Sequence, residues 1–328
     1  MGNSLVTLDP KKAKKFDAFL SKYPKLLNKE LLTENKLFKT YSFLVEKESS
    51  IIMKVYLKRD NTNLKNHENS LRVMQAAFDL NTYPNLLPYT KLFDEDAFMA
   101  VVRPKVNLTL SQRIHTAPSL RKIEKLWICF QALTALYNLH NLGFYHGNIT
   151  STNLLVTTWN HVFLADYAWY APNYLREDNL EDKNFFYPTA NRKCNLAPEK
   201  FIAKDSKDMI SNLQMSHEDI EKATTETLHS LQKMDIFSLG CVIAELMLDA
   251  RSLFTYEQLL AYRRDEYDPS PLLERIENPG IINFIKLMIK KDPEQRPSLH
   301  ELLSRFATEI APESFSTIIY YINSSLQI

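Results

Sequence analysis

Tyr145-His146-Gly147-Asn148-Ile149-Thr150-Ser151-Thr152-Asn153 is the stretch on which the reading of this chain turns. It lies in a run, residues 126–165, that contains no Asp, Glu, Lys or Arg. Asp166 ends that run within Ala165-Asp166-Tyr167-Ala168, and Ala197-Pro198-Glu199 follows. A membrane span needs about 20 clean apolar residues. Here Gln131, Asn138, His140 and Asn141 interrupt the run, and its helical part ends at Gly143. The pattern therefore predicts a buried helix with Ile123, Trp127, Phe130, Thr134 and Tyr137 along one face, packed under the loop. Upstream, residues 50–57 are β-branched and apolar around Lys54, which reads as a strand. Downstream, residues 232–249 read as an apolar helix beginning near Asp235, and Ser298 to Glu301 has the spacing of a helix N-cap box.

The order and spacing of these polar groups resemble a protein-kinase active site, in which H-R-D-x-x-x-x-N, D-F-G and A-P-E carry the chemistry and close the activation segment. His146 and Asn153 are in register with that loop, but Asn148 stands at the Asp, Gly147 at the Arg and Thr150 at the Lys. Several runs narrow the resemblance: Met1-Gly2-Asn3, His146-Gly147-Asn148-Ile149, Leu154-Leu155-Val156-Thr157-Thr158-Trp159-Asn160, Asp166-Tyr167-Ala168, Tyr174-Leu175-Arg176-Glu177-Asp178-Asn179, and Asp235-Ile236-Phe237-Ser238-Leu239-Gly240-Cys241-Val242-Ile243-Ala244-Glu245. With these the chain resembles the protein-kinase-like regulatory subunits of class III phosphatidylinositol 3-kinase complexes, the vacuolar protein sorting-associated protein fifteen family. The likeness is densest over residues 123–250 and fades before residue 50. That family's loop reads H-G-D-I-K and its triplet D-F-A, so Gly147 and Ala168 are family traits, whereas Asn148, Thr150 and Tyr167 depart from it.

The resemblance implies an α+β, bilobal protein-kinase-like fold with a small, mostly β N-lobe (28–105) and a larger helical C-lobe (106–310). A polar insertion (204–230) and a C-terminal helical tail (311–328) complete the expected organisation. Strands are expected at 87–93 and 97–103, with a hinge at Val101 to Lys105. Lys54 matches the lysine that grips nucleotide phosphates, and Glu68, on a helix over 62–79 with Leu64, Leu71, Val73 and Met74 facing inward, is its candidate partner. Asn153 and Asp166 fall at the magnesium-holding positions, implying ATP or GTP with magnesium. Glu199, Asp235 and Arg296 fall at positions that brace the fold.

Residue chemistry limits what this site does. Glycine allows backbone N–H groups to approach phosphate, yet the chain has five glycines and none between Leu31 and Phe43. Nucleotide affinity is expected to be weak, with Leu37 or Phe38 roofing the pocket. The Asn148 amide cannot accept a hydroxyl proton, and Thr150 supplies no cation for the transferring phosphoryl group. Gly147 cannot receive an activation-loop phosphate, so modified Thr189 lacks that anchor unless Arg192 or Lys193 substitutes. The expectation is a pseudokinase; the alternatives are a low-turnover serine/threonine kinase and a nucleotide-sensing module.

Composition adds exclusions. The net charge of +1 gives no global basic field for nucleic acid. Cys129, Cys194 and Cys241 are far apart and form no disulfide or metal-cluster pattern. At the amino terminus (1–27), Gly2 could carry a myristoyl chain, although Val6 stands where the pattern wants Ser or Thr. Six lysines between residues 11 and 25 alternate with Phe16, Phe19 and Leu20, which suits an anionic membrane surface. By resemblance the partner is the class III phosphatidylinositol 3-kinase catalytic subunit. The location so implied is cytoplasmic, peripheral on endosomal, Golgi or vacuolar membranes. Family members also carry a helical solenoid and a β-propeller, so partner contacts of this chain are expected to run through the kinase-like domain alone or through separate chains.

Overall fold

The computed structural model describes residues 10–45, 49–58, 64–78, 82–87, 89–202, 225–312 and 314–315. Gly2, nearly all of the 204–230 insertion and most of the 311–328 tail lie outside the described residues. The chain divides into two compact units, one built from residues up to 78 with 88–105, the other from 79–87 and the residues after 105.

The first unit is a five-stranded antiparallel sheet of β1 (Leu26–Glu34), β2 (Phe38–Val45), β3 (Ser49–Leu57), β4 (Lys91–Asp94) and β5 (Phe98–Pro104), in the order β1-β2-β3-β5-β4. Helices α1 (Pro10–Leu20) and α2 (Lys65–Ala77) complete it. The β-branched, apolar content of β3 and β5 makes them the most buried strands, and their pairing sets Lys54 opposite Val101. Expected strands 50–57 and 97–103 are found nearly as read. The strand expected over 87–93 is shorter, because Leu86 and Leu87 pair with Leu164 in the second unit instead.

Two expectations change here. Phe16 and Phe19 of α1 are each 3% exposed and pack with Tyr41, Phe43, Met53 and Phe98. They are core residues of this unit and offer no apolar face to a membrane, while Lys15, Lys22 and Lys25 remain exposed. On α2, Leu71 and Met74 are buried with His67, whereas Val73 is exposed.

The second unit is mainly helical, with a small sheet of β6 (Leu108–Thr109), β7 (Leu154–Val156) and β8 (Val162–Leu164). Its helices include α3 (Leu110–His115), α4 (Lys122–Asn141) and α5 (Leu180–Phe186). A parallel pair, β9 (Leu175–Arg176) and β10 (Phe201–Ile202), ties the two ends of the segment between them. Further on come α6 (Thr225–Met247), α7 (Tyr256–Arg263), α8 (Ser270–Leu273), α9 (Pro279–Met288) and α10 (Leu299–Arg305). The helix expected from 232 therefore starts at 225, and Ser298 caps α10 by accepting the Glu301 N–H.

α4 is buried as expected, but not by the expected face. Ile123 is exposed and Trp127, Phe130, Thr134 and Tyr137 are half-buried, while Leu126, Cys129, Leu133, Leu136 and Leu139 are fully enclosed. Packing against β8, α6 and α10 covers the helix on several sides, which removes the amphipathic stripe that periodicity alone relies on. Where α6 meets α9, Gly240 is required: a Cβ there would lie 2.8 Å from Met288 Cβ.

Candidate active site

The loop 145–153 takes its shape from α6. Asp235, 2% exposed, accepts the His146 N–H on Oδ2 at 2.6 Å and the Gly147 N–H on Oδ1 at 3.0 Å, while His140 Nε2 lies 3.1 Å from Oδ2. The His146 ring is fully buried, with Nε2 2.9 Å from the Ala165 carbonyl and Nδ1 accepting the Asn148 N–H at 3.2 Å. That pairing assigns the proton to Nε2. The Ala168 N–H closes onto the His146 carbonyl at 2.9 Å. Gly147 has φ +78°, a backbone state that disfavours side chains.

Asn153 Nδ2 donates to the Asn148 carbonyl at 2.8 Å, which fixes the Asn153 Oδ1 as the acceptor, and the Ala165 N–H bonds to the Asn153 carbonyl. Asn148, Asn153 and the residue before Asp166 are thus joined by direct bonds. Asp166 itself has φ +64°, a costly state for a non-glycine that concentrates at functional sites. An amide oxygen and a carboxylate are hard donors of the kind a magnesium ion uses. The Thr150 hydroxyl lies 2.8 Å from that of Thr152. Neither Asn148 nor Thr150 brings a titratable group into the loop.

Tyr167 has a packing role. Its ring is fully buried, 5.1 Å from His146 and stacked at 8° on Trp169, whose Nε1 donates to the Tyr145 carbonyl. Burial, followed by the Asp166 charge, raises its phenol pKa far above the usual value, so it acts as a neutral spacer.

The frame around the loop is complete. Arg296, with its side chain fully buried, holds Glu199 through two bonds of 2.6 and 2.8 Å and spends its other donors on the carbonyls of Lys233, Lys290 and Lys291. Sequence reasoning missed a second tie. Glu245, the sole carboxylate between residues 236 and 248, accepts Ser151 Oγ at 3.0 Å and Lys193 Nζ at 2.7 Å on the same oxygen, while its buried Oε2 has no hydrogen-bond partner among the described residues. An isolated carboxylate in an apolar helix was the available signal. Lys193, considered above as a phosphate receiver, is occupied by this tie.

In the first unit, Lys54 is 5% exposed and its ammonium stands 4.0 Å above the Phe38 ring centroid and 5.5 Å from that of Tyr56. Glu68, its expected partner, receives Nε and Nη2 of Arg72 at 2.9 and 2.8 Å. The α2 residue buried against β3 is instead His67, whose Nε2 lies 3.3 Å from the Tyr56 hydroxyl. In the β1–β2 turn, Asn35 Oδ1 accepts both the Leu37 and Phe38 N–H groups, at 2.9 and 2.7 Å. Leu37 is 1% exposed, so Phe38, not Leu37, covers the lysine.

Among the described residues there is no cluster of three or more His, Cys, Asp or Glu suited to a metal ion, no helix long and apolar enough to cross a membrane, and no disulfide, the three cysteines being free and buried. Burial pushes the Cys129 and Cys194 thiols up to about 12.

Residues 34–306 match the family model described as protein tyrosine and serine/threonine kinase. The chain is 36% identical over 291 residues to the probable serine/threonine-protein kinase vps15 of Dictyostelium discoideum, covering 88% of this chain and 14% of that protein. It is 34% identical over 297 residues to the serine/threonine-protein kinase VPS15 of Arabidopsis thaliana (90% and 19%) and over 294 residues to that of Saccharomyces cerevisiae (88% and 19%). The chain thus spans less than a fifth of the length of these relatives. Since the matched region takes in the loop, Asp166 and the frame that holds them, the chain belongs to the protein tyrosine and serine/threonine kinase family, with the VPS15 kinases as homologues.

Proposed function

We propose that this chain is a regulatory, kinase-like scaffold of a class III phosphatidylinositol 3-kinase complex in endosomal or vacuolar sorting and autophagy, with little or no phosphotransfer. The observation that carries the reading is the contrast inside the second unit. The Asp235 brace and the Glu199–Arg296 pair are complete, while the reacting positions they present hold Asn148 and Thr150.

In this reading Asn153 Oδ1 and the Asp166 carboxylate would hold magnesium, and Lys54 would face nucleotide phosphate. The nucleotide, when bound, supplies the transferable phosphoryl group. Asn148 can orient a hydroxyl through its amide but takes no proton, and loss of a general base costs ~10²–10⁴-fold in rate. Thr150 adds no cation where charge accumulates. Gly2, if acylated, and the exposed lysines would supply peripheral membrane attachment, since one acyl chain alone binds marginally.

A second reading, a serine/threonine kinase of low turnover, draws on the retained Asn153 and Asp166 and on the relatives' printed names. Titration calorimetry with ATP and GTP plus magnesium, followed by single-turnover phosphate transfer in wild type and Asn148→Asp, separates the two. Binding without transfer, with transfer gained by Asn148→Asp, supports the scaffold. Wild-type transfer that is abolished by Asp166→Ala overturns it. Copurification of the lipid kinase tests the partner.

A further inference from the structure

The β1–β2 turn is closed on itself. In a phosphate-binding loop the backbone N–H groups at the tip point outward as donors. Here the Leu37 and Phe38 N–H groups both end on Asn35 Oδ1, the Asn35 N–H ends on the Phe38 carbonyl at 3.0 Å, and the Leu37 carbonyl accepts the Leu57 N–H at 3.1 Å. The side chains repeat the pattern. Leu37 is buried, and the Phe38 ring lies against both the Lys54 ammonium and the Tyr56 ring, 5.6 Å away. Register makes this arrangement specific, since Phe38 pairs with Tyr56 and Thr40 with Lys54, so that Phe38 shares a face with the lysine.

We propose that Asn35 and Phe38 form a latch that withholds the turn's amide donors and covers Lys54, so that a nucleotide is held without use of its terminal phosphate and the chain does not distinguish nucleoside triphosphate from diphosphate. Apart from magnesium, which accompanies diphosphate and triphosphate alike, a triphosphate gains over a diphosphate where loop donors or an open protein cation meet the additional charge. Asn35 Oδ1 already accepts two of those donors, and the aromatic face of Phe38 takes the ammonium by cation–π attraction. Two side chains therefore set ligand class, independently of the Asn148 and Thr150 changes. The inference rests on the reading of Lys54 as the nucleotide-facing lysine.

Two measurements test it, both on the full chain. By hydrogen exchange, the Leu37 and Phe38 amides are protected in wild type and lose at least tenfold protection in Asn35→Gly; unprotected amides in wild type overturn the latch. By calorimetry with magnesium, wild type binds ATP and ADP within about threefold of each other. Asn35→Gly, and separately Phe38→Leu, raise ATP affinity tenfold or more over ADP. A tenfold ATP preference in wild type, or no gain in either folded variant, overturns the proposal. Such a result leaves the scaffold reading standing, because that reading is tested separately, by phosphate transfer in wild type and by copurification of the lipid kinase.

Discussion

At the scale of single residues, the His67 imidazole is enclosed against Tyr56, and burial followed by the Lys54 charge pushes its pKa from 6.5 down to about 3. The folded protein therefore refuses a proton that the unfolded chain accepts. Below pH 6.5 the unfolded state binds more protons, so the His67 contribution to stability is present above that pH and is lost as pH falls toward 3. Between pH 6.5 and 4.5 the loss is about 2 kcal/mol, given ~1.4 kcal/mol per pH unit. Urea unfolding at both pH values, against His67→Met, reads this out; parallel pH dependence in the two proteins would sink it. Gly147 gives a second test. Because φ is +78° and a Cβ would sit 3.2 Å from Tyr145 Cε2, Gly147→Arg is expected to cost about 1–2 kcal/mol of stability. Denaturant midpoints check this, and an unchanged midpoint contradicts it.

Among the elements, the segment between Asp166 and Glu199 shows how a missing charge is replaced structurally. Gly147 provides no guanidinium for an activation-loop phosphate, and the segment is tied instead through Lys193 to Glu245, whose same oxygen holds Ser151 of the loop. Lys193→Met is expected to accelerate proteolysis within residues 180–193, because it leaves a buried carboxylate without its cation. Thr189→Glu should leave the cleavage pattern as in wild type; a phosphomimetic that slows cleavage would show that an anion at this site still orders the segment. Helix spacing supplies another test. Gly240→Leu drives a side chain into Met288 and Ile289, with an expected cost of about 1–3 kcal/mol from overpacking, measured by thermal or urea unfolding; Gly240→Leu with wild-type stability would mean that α9 moves freely. Element boundaries were legible where composition was distinctive, as in β3 and β5. They were not where burial is all-round, as in α4, or where the relevant pairing is distant, as at Leu86 and Leu87.

Across the whole molecule, Arg296 is the residue on which most of the second unit's frame converges, since it bonds to groups at 199, 233, 290 and 291. Arg296→Met leaves the Glu199 carboxylate and three carbonyls without their donors. A loss of about 3–5 kcal/mol follows for a broken buried pair, and calorimetric unfolding should show it; a loss below 1 kcal/mol would mean that the pair is dispensable. The order His146, Asn153, Asp166, Glu199, Asp235 and Arg296 was readable from the chain through its resemblance to the kinase motifs, and the chemistry absent at Asn148 and Thr150 was readable from residue type. Residue types alone settle which positions carry an ionisable group at all. What the tertiary structure alone decided is which group each one meets: Glu68 with Arg72, Lys193 with Glu245, Phe16 and Phe19 with the sheet, and Asn35 with the turn's own amides. These are competitions between several available partners, and their outcome depends on distance and burial, which become defined only once the chain is packed.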